Sequence, residues 1–186
     1  MKFAVAVLMI ACMLGGCSTT DHQLDQAMEL RKTILTAESC TFGAVITADY
    51  GDKLYSFQMD CSADTSGNLS FTVTAPDTIS GITGMISQEG AALTFDDKVL
   101  AFPMLADNQL SPVSAPWVFL STLRSGYITG CSREDDTTCI YIDDSFEENP
   151  LYLEIYTDKD MNPIRAEIFW NQRRILSADI LDFAVQ

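Results

Sequence analysis

The chain has 186 residues, with 11 Lys and Arg against 26 Asp and Glu, a formal charge of −15 at pH 7, and 47% hydrophobic residues. So acidic a chain is repelled by nucleic-acid phosphates and by anionic headgroups, which excludes a nucleic-acid partner and a polybasic membrane dock. The length suits one domain with a real core, and the apolar content excludes disorder over most of it.

Lys2 precedes an uncharged run from Phe3 to Leu14, and Gly15, Gly16 and Cys17 follow. A basic start, an apolar stretch too short to span a bilayer and a small-residue zone make an export signal. Leu14-Gly15-Gly16-Cys17 resembles the lipobox of bacterial lipoprotein signals. That resemblance implies loss of residues 1–16 and a diacylglyceryl, palmitate-type anchor on the Cys17 thiol. The protein would then sit on the extracytoplasmic face of the cell membrane, or at the outer membrane in a cell that has two. Cleavage removes only one charge, Lys2, so attachment of this acidic chain rests on the lipid. Residues 17–21 read as a short lipidated tether and 22–186 as a single domain.

Asp21 to about Thr36 reads as an amphipathic helix packed on a sheet, with Leu24, Ala27, Met28, Ile34 and Leu35 near one face and Leu30 at its border. Asp21 and Asp25 stand early and Arg31 and Lys32 late, as the helix dipole favours. From Cys40 onward strands dominate. Four cysteines remain beyond Cys17, namely Cys40, Cys61, Cys131 and Cys139. An even number in an exported chain points to two disulfides. A hairpin around Asp49-Tyr50-Gly51-Asp52 that sets Cys40 opposite Cys61 also sets Phe42 opposite Met59, Ala44 opposite Phe57 and Ile46 opposite Tyr55. Directly opposed residues come within disulfide reach. Cys131 and Cys139 flank Ser132 to Thr138 and read as a second stapled hairpin. A metal or redox site needs closer cysteine spacing with histidines, so neither metal nor cofactor is expected.

Further strands are expected at Leu69 to Ala75, Ile82 to Ser87, Ala91 to Phe95 and Lys98 to Phe102, joined by short turns into an antiparallel meander. Pro103 to Ser114 breaks the rhythm and is a candidate lid or entrance loop. Pro116 suits the first turn of a helix that runs through Trp117 to Arg124 and stops at Gly126. Trp117, Val118, Phe119 and Leu120 point round most of that helix, so it must be covered nearly all round, by core or by a ligand. Strands resume at Gly126 to Cys131, Cys139 to Ile142, Leu151 to Thr157, Ile164 to Trp170 and Arg173 to Phe183.

The order of these segments resembles the LolA/LolB-like lipoprotein carriers and related lipid-carrier lipoproteins. The resemblance is carried by Phe71 to Gly84, Trp117 to Gly126, and Leu153 through Asn162-Pro163-Ile164 to Phe183. It implies an α+β fold, a strongly curved antiparallel half-barrel with helices packed on its concave face, often round an apolar cavity. On that reading a lipid or acyl chain is held between sheet and helix by Trp117, Phe119, Leu120, Leu123, Phe102 and Trp170. Similar folds in lipoproteins of spore-forming bacteria bind a cell-wall amidase, which implies the alternative of a non-catalytic module that binds or activates an envelope enzyme. No enzyme is expected. His22 is the only histidine and stands beside the tether, which leaves no base for a Ser-His-Asp or Cys-His arrangement. The carboxylate pairs Asp96-Asp97, Glu134-Asp135-Asp136, Asp143-Asp144 and Glu147-Glu148 fall mostly at turns, where solvation explains them.

Overall fold

The structure is a computed structural model that describes residues 18–87, 90–94, 105–106 and 110–186. Helix α1 spans Ser18–Thr36. It therefore takes in the residues expected to form a tether, since nothing between Cys17 and Asp21 is a glycine or proline that would stop a helix. Its inward stripe is Ala27, Leu30 and Ile34, whereas Leu24, Met28 and Leu35 stay exposed.

Ten strands follow among the described residues: β1 Ser39–Asp49, β2 Leu54–Asp64, β3 Leu69–Ala75, β4 Thr83–Ser87, β5 Gly90–Thr94, β6 Tyr127–Glu134, β7 Thr137–Asp143, β8 Tyr152–Thr157, β9 Pro163–Trp170 and β10 Arg173–Val185. A 3-10 turn, Pro112–Ser114, and helix α2, Ala115–Ser125, lie between β5 and β6. The strands form one antiparallel sheet in the order β5-β4-β3-β2-β1-β10-β9-β8-β7-β6. The sheet is curved and unclosed, the half-barrel with helices on its concave face that the resemblance implies.

The order shows two meanders rather than one. The first runs from the centre, β1, out to the β5 edge; the second runs from the β6 edge back to the centre, where β10 pairs with β1. Joining them requires the chain to cross from one edge to the other, and α2 lies in that crossing. The expected lid belongs to it too. Leu105, Ala106, Leu110, Pro112 and Val113 are buried, and Leu105 and Leu110 exchange backbone hydrogen bonds of 2.8 and 3.1 Å. The expected strand Lys98 to Phe102 and its pairing with Phe95 lie outside the described residues.

Alternation decides which side chains fill the concave face. Along β1 the buried residues are Cys40, Phe42, Ala44, Ile46 and Ala48; along β2 they are Phe57, Met59, Cys61 and Ala63; along β8 they are Leu153, Ile155 and Thr157. Two features lock the helices over this face. A Cβ on Gly126 would meet Ile142 Cγ2 and Thr122 O, each at 2.7 Å, so only glycine lets α2 end this close to β7. Arg31, expected to favour its own helix's C-terminus, instead donates from Nε to Leu123 O at 2.7 Å and from Nη2 to Gly126 O at 2.8 Å. It thereby caps the last carbonyls of α2.

All four described cysteines carry free thiols, which corrects the two expected disulfides. The cause is register. Gly51 adopts φ +91° and donates its N–H to Asp49 Oδ1 at 2.7 Å, while Tyr50 N donates to Lys53 O at 3.0 Å. Gly51-Asp52 is thus the turn centre, because a hairpin turn favours a positive φ at its first central position. The ladder moves by two residues: Cys40 faces Ala63, and Cys61 faces Phe42. In the second hairpin Asp135 takes φ +51° and Glu134 pairs with Thr137, a shift of one. Cys139 then faces Ser132 and Cys131 faces Ile140, so these two thiols project to opposite sides of the sheet. Burial raises the Cys61 thiol far above its ordinary value, and burial with the nearby Glu154 pushes Cys139 up to about 12. At neutral pH both are therefore held as thiols rather than thiolates.

Candidate functional site

The proposed ligand residues on α2 divide into two groups. Phe119 and Leu123 are 0% exposed and Leu120 is 4% exposed. Phe119 meets Phe42 edge-on at 5.8 Å and Phe183 at 6.3 Å. Such T-shaped contacts are how aromatic rings pack in a core. The space around Phe119 is therefore filled by the protein's own side chains, and the large apolar residues of α2 answer to its route across the sheet. Of the α2 residues expected to hold a ligand, Phe119 and Leu123 pack into the core, whereas Leu120 and Trp117 border a small cavity of about 160 Å³ with Cys40, Ala63 and Leu35. Phe102 lies outside the described residues.

Trp117 and Trp170 are half-buried and border a cleft of about 370 Å³ with Leu110, Ser121, Asp144 and Glu147. The Trp117 indole donates to Gly67 O at 3.2 Å. On the far side the segment after β7 is pinched at its base, where Asp144 N donates to Leu151 O at 3.0 Å and Leu151 N to Asp144 Oδ1 at 2.8 Å. Burial raises the Asp144 carboxyl above its ordinary value, against the Leu151 N–H. The polar lining makes this cleft a poor place for an acyl chain.

An apolar cavity of about 440 Å³ lies elsewhere, between α1 and the end of the sheet. Leu30, Met161, Pro163, Phe183 and Val185 form its walls, and Gln26 and Thr33 of α1 reach into its rim. The size falls within the usual range of ligand sites. The β8–β9 turn supplies one wall by a specific device. Asp158 Oδ1 accepts from Asp160 N and Asn162 N, both at 2.9 Å, and Asp158 Oδ2 accepts from Asn162 Nδ2 at 3.0 Å. That folding leaves Met161 at φ +65° on the cavity wall. Gln26 Oε1 is buried with no hydrogen-bond partner. A buried acceptor without a partner costs free energy, which a ligand carrying a donor would recover. His22, Asp25, Glu29 and Asp160 complete an outer rim of mostly acidic character.

None of these wall residues was singled out from the sequence. The usable signal was the α1 spacing His22, Gln26, Glu29 and Thr33, a stripe distinct from the buried one, and Asp158 ahead of Asn162-Pro163. A second unanticipated cluster covers the outer face of the sheet. Tyr156 donates to Glu154 Oε2 at 2.6 Å and Tyr152 to Glu154 Oε1 at 3.4 Å. Arg165 and Arg174 hold Glu167, which is 8% exposed, at 2.8 and 2.7 Å. Burial and Glu154 raise both phenols well above their ordinary value. Among the described residues no group of three or more side chains is arranged to hold a metal ion, and no helix is long and apolar enough to cross a membrane.

No protein-family model matches the chain, and no curated protein does. Solved structures similar to it include a LolA-superfamily protein from Nitrosomonas europaea, with 9% identity and a TM-score of 0.47 over 91% of this chain and 94% of that one. LprF from Mycobacterium bovis is similar at 12% identity and a TM-score of 0.41, over 88% and 93%. The Pseudomonas aeruginosa MucA/MucB complex is similar at 7% identity and a TM-score of 0.41, over 88% of this chain and 57% of that one.

Proposed function

We propose that this is a non-enzymatic extracytoplasmic protein, anchored by a lipid on Cys17, that holds the apolar part of a lipid-like ligand between α1 and the end of the sheet. The observation that carries the reading is the apolar cavity walled by Leu30, Met161, Pro163, Phe183 and Val185. A chain enclosed there leaves water without displacing any core side chain, at roughly 25 cal/mol per Å² of apolar surface removed. Gln26 Oε1 favours an amphiphile with a donor close behind its apolar chain.

The test uses the Cys17→Ala protein, which on this reading leaves the membrane fraction. Native mass spectrometry reads retained lipid, and titration with a fluorescent fatty alcohol reads uptake. One ligand per chain is expected. Leu30→Trp, which fills the cavity, weakens binding by about tenfold or more, the loss of roughly 1.4 kcal/mol, whereas Trp117→Ala leaves it unchanged. A lipid-free parent that takes up nothing sinks the reading.

The rival is an interaction module for an envelope enzyme, and one observation favours it. Phe146 is 81% exposed, packs its ring on Tyr127, and stands among Asp143, Asp144, Glu147 and Glu148. An aromatic knob in an acidic setting suits a basic partner, held more weakly as salt screens it. Capture of an envelope protein at low salt, lost with Phe146→Ser, supports this reading; identical capture by parent and variant removes it.

A further inference from the structure

We propose that α1 lies along the membrane surface, with Leu24, Met28 and Leu35 set into the headgroup region beside the Cys17 anchor. This rests on the lipidation of Cys17. Leu24, Met28 and Leu35 are 40%, 47% and 49% exposed. At about 100° per residue they fall within roughly 40° of one another, a single stripe next to the buried one. Because α1 begins at Ser18, no flexible spacer separates the acylated residue from the helix. The anchor therefore holds the helix close to the bilayer, and this is the stripe of α1 whose large apolar side chains the protein leaves uncovered.

Charge and area decide the occupant. Arg31 borders one side of the stripe with its guanidinium occupied by α2 carbonyls; Asp25 and Lys32 border the other, and Lys32 pairs with Glu29 at 3.2 Å. The mixed signs suit a zwitterionic surface better than a strongly anionic one. Three half-exposed side chains are too few for a stable protein interface of about 800 Å² per partner. They suffice for a surface already tethered nearby, where the second contact forms at high effective concentration. One consequence concerns the cavity. His22, Gln26, Glu29 and Thr33 lie about 120–180° round α1 from the stripe and Asp25 about 80°, so with the stripe down most of the helical wall of the cavity faces away from the bilayer. Ligand then exchanges with the aqueous side rather than with the leaflet underneath.

The experiment uses the lipidated full chain in phosphatidylcholine vesicles whose acyl chains carry bromine, a short-range quencher of tryptophan. Met28→Trp places a reporter on the stripe and Glu29→Trp one about 100° round the helix, on the cavity side; Trp117 and Trp170 give both the same background. The emission added at 28 is expected to lose most of its intensity, and that added at 29 to keep it. Leu24→Trp repeats the stripe reading one turn earlier if the first variant folds poorly. Vesicle flotation separates the two claims. Protein that floats with 28 and 29 quenched alike, or neither quenched, keeps the anchor and overturns the orientation. Protein that does not float overturns both.

Discussion

The two helices cover the same sheet and leave opposite results beneath them. Under α2 the space is largely closed: Phe119, Phe42 and Phe183 pack ring against ring beside the buried Leu123, and what remains at Leu120 is only about 160 Å³. Under the middle of α1 it is open, because the helix there presents the partly buried Leu30 beside Gln26 and Thr33, facing Met161 and Phe183 across a gap. The difference follows from the route of the chain. The helix that crosses the sheet is covered by protein over most of its first two turns and is apolar there. The helix that lies at its border is not so constrained, and can leave a cavity beside a polar rim. A high density of large apolar residues therefore marks core here, and a deficit of them marks the candidate site.

The comparison breaks most visibly at Phe119. Phe119→Ala removes a fully buried ring that meets two others, and the expected cost is about 3–5 kcal/mol of unfolding free energy, read by urea denaturation with the slope checked against the parent. Uptake of fluorescent alcohol into the α1 cavity should persist in whatever fraction stays folded. Loss of uptake at full stability would mean that the two regions are one. A smaller effect is expected at the link between them. Arg31→Met keeps the apolar stem but leaves Leu123 O and Gly126 O without their charged donor, at a cost of about 2 kcal/mol. Hydrogen exchange should quicken at the C-terminal end of α2 and not at β1; uniform quickening would show that Arg31 stabilises the whole fold rather than the junction.

How much of this was legible depended on which physical rule carried the information. Strand positions and faces were readable because alternation is local: β1, β3 and β8 bury the residues that period two selects. Pairing was less so. A two-residue slip leaves every side chain of the first hairpin on its face, so Phe42, Ala44 and Ile46 could not distinguish Cys61 from Ala63 as the neighbour of Cys40. Gly51-Asp52 could, since glycine accommodates the positive φ the turn needs. The candidate site was missed for a different reason. Trp117 and Phe119 announced themselves by size, while the cavity is made by Met161, Val185 and Leu30, drawn from three elements that only the β1–β10 closure and the packing of α1 bring together.

The smallest expected effect tests a second fixing of the C-terminal end of α2, in acid. Asp64 opens the β2–β3 turn, where its Oδ2 accepts from Asn68 Nδ2 at 2.9 Å and its Oδ1 from Asn68 N at 3.0 Å. Arg124 of α2 donates to Thr65 O in the same turn at 2.7 Å. The Asn68 side-chain hydrogen bond, ahead of the backbone ones, holds the Asp64 carboxyl below its ordinary value. A carboxyl whose pKa is lower in the folded chain than in the unfolded one lends stability above the unfolded value, about 3.9. That contribution is lost as pH falls through the folded value, because the unfolded state takes up the proton first. The urea midpoint of the parent should thus decline more steeply below about pH 4 than that of Asp64→Asn, which has no proton to bind there. With salt raised to screen the surface the contrast should remain, since hydrogen bonds within one turn are short-ranged. If the two proteins decline in parallel, the turn is not what secures the Arg124 end of α2 in acid, and the Arg31 contacts at the last carbonyls of the helix carry that task alone.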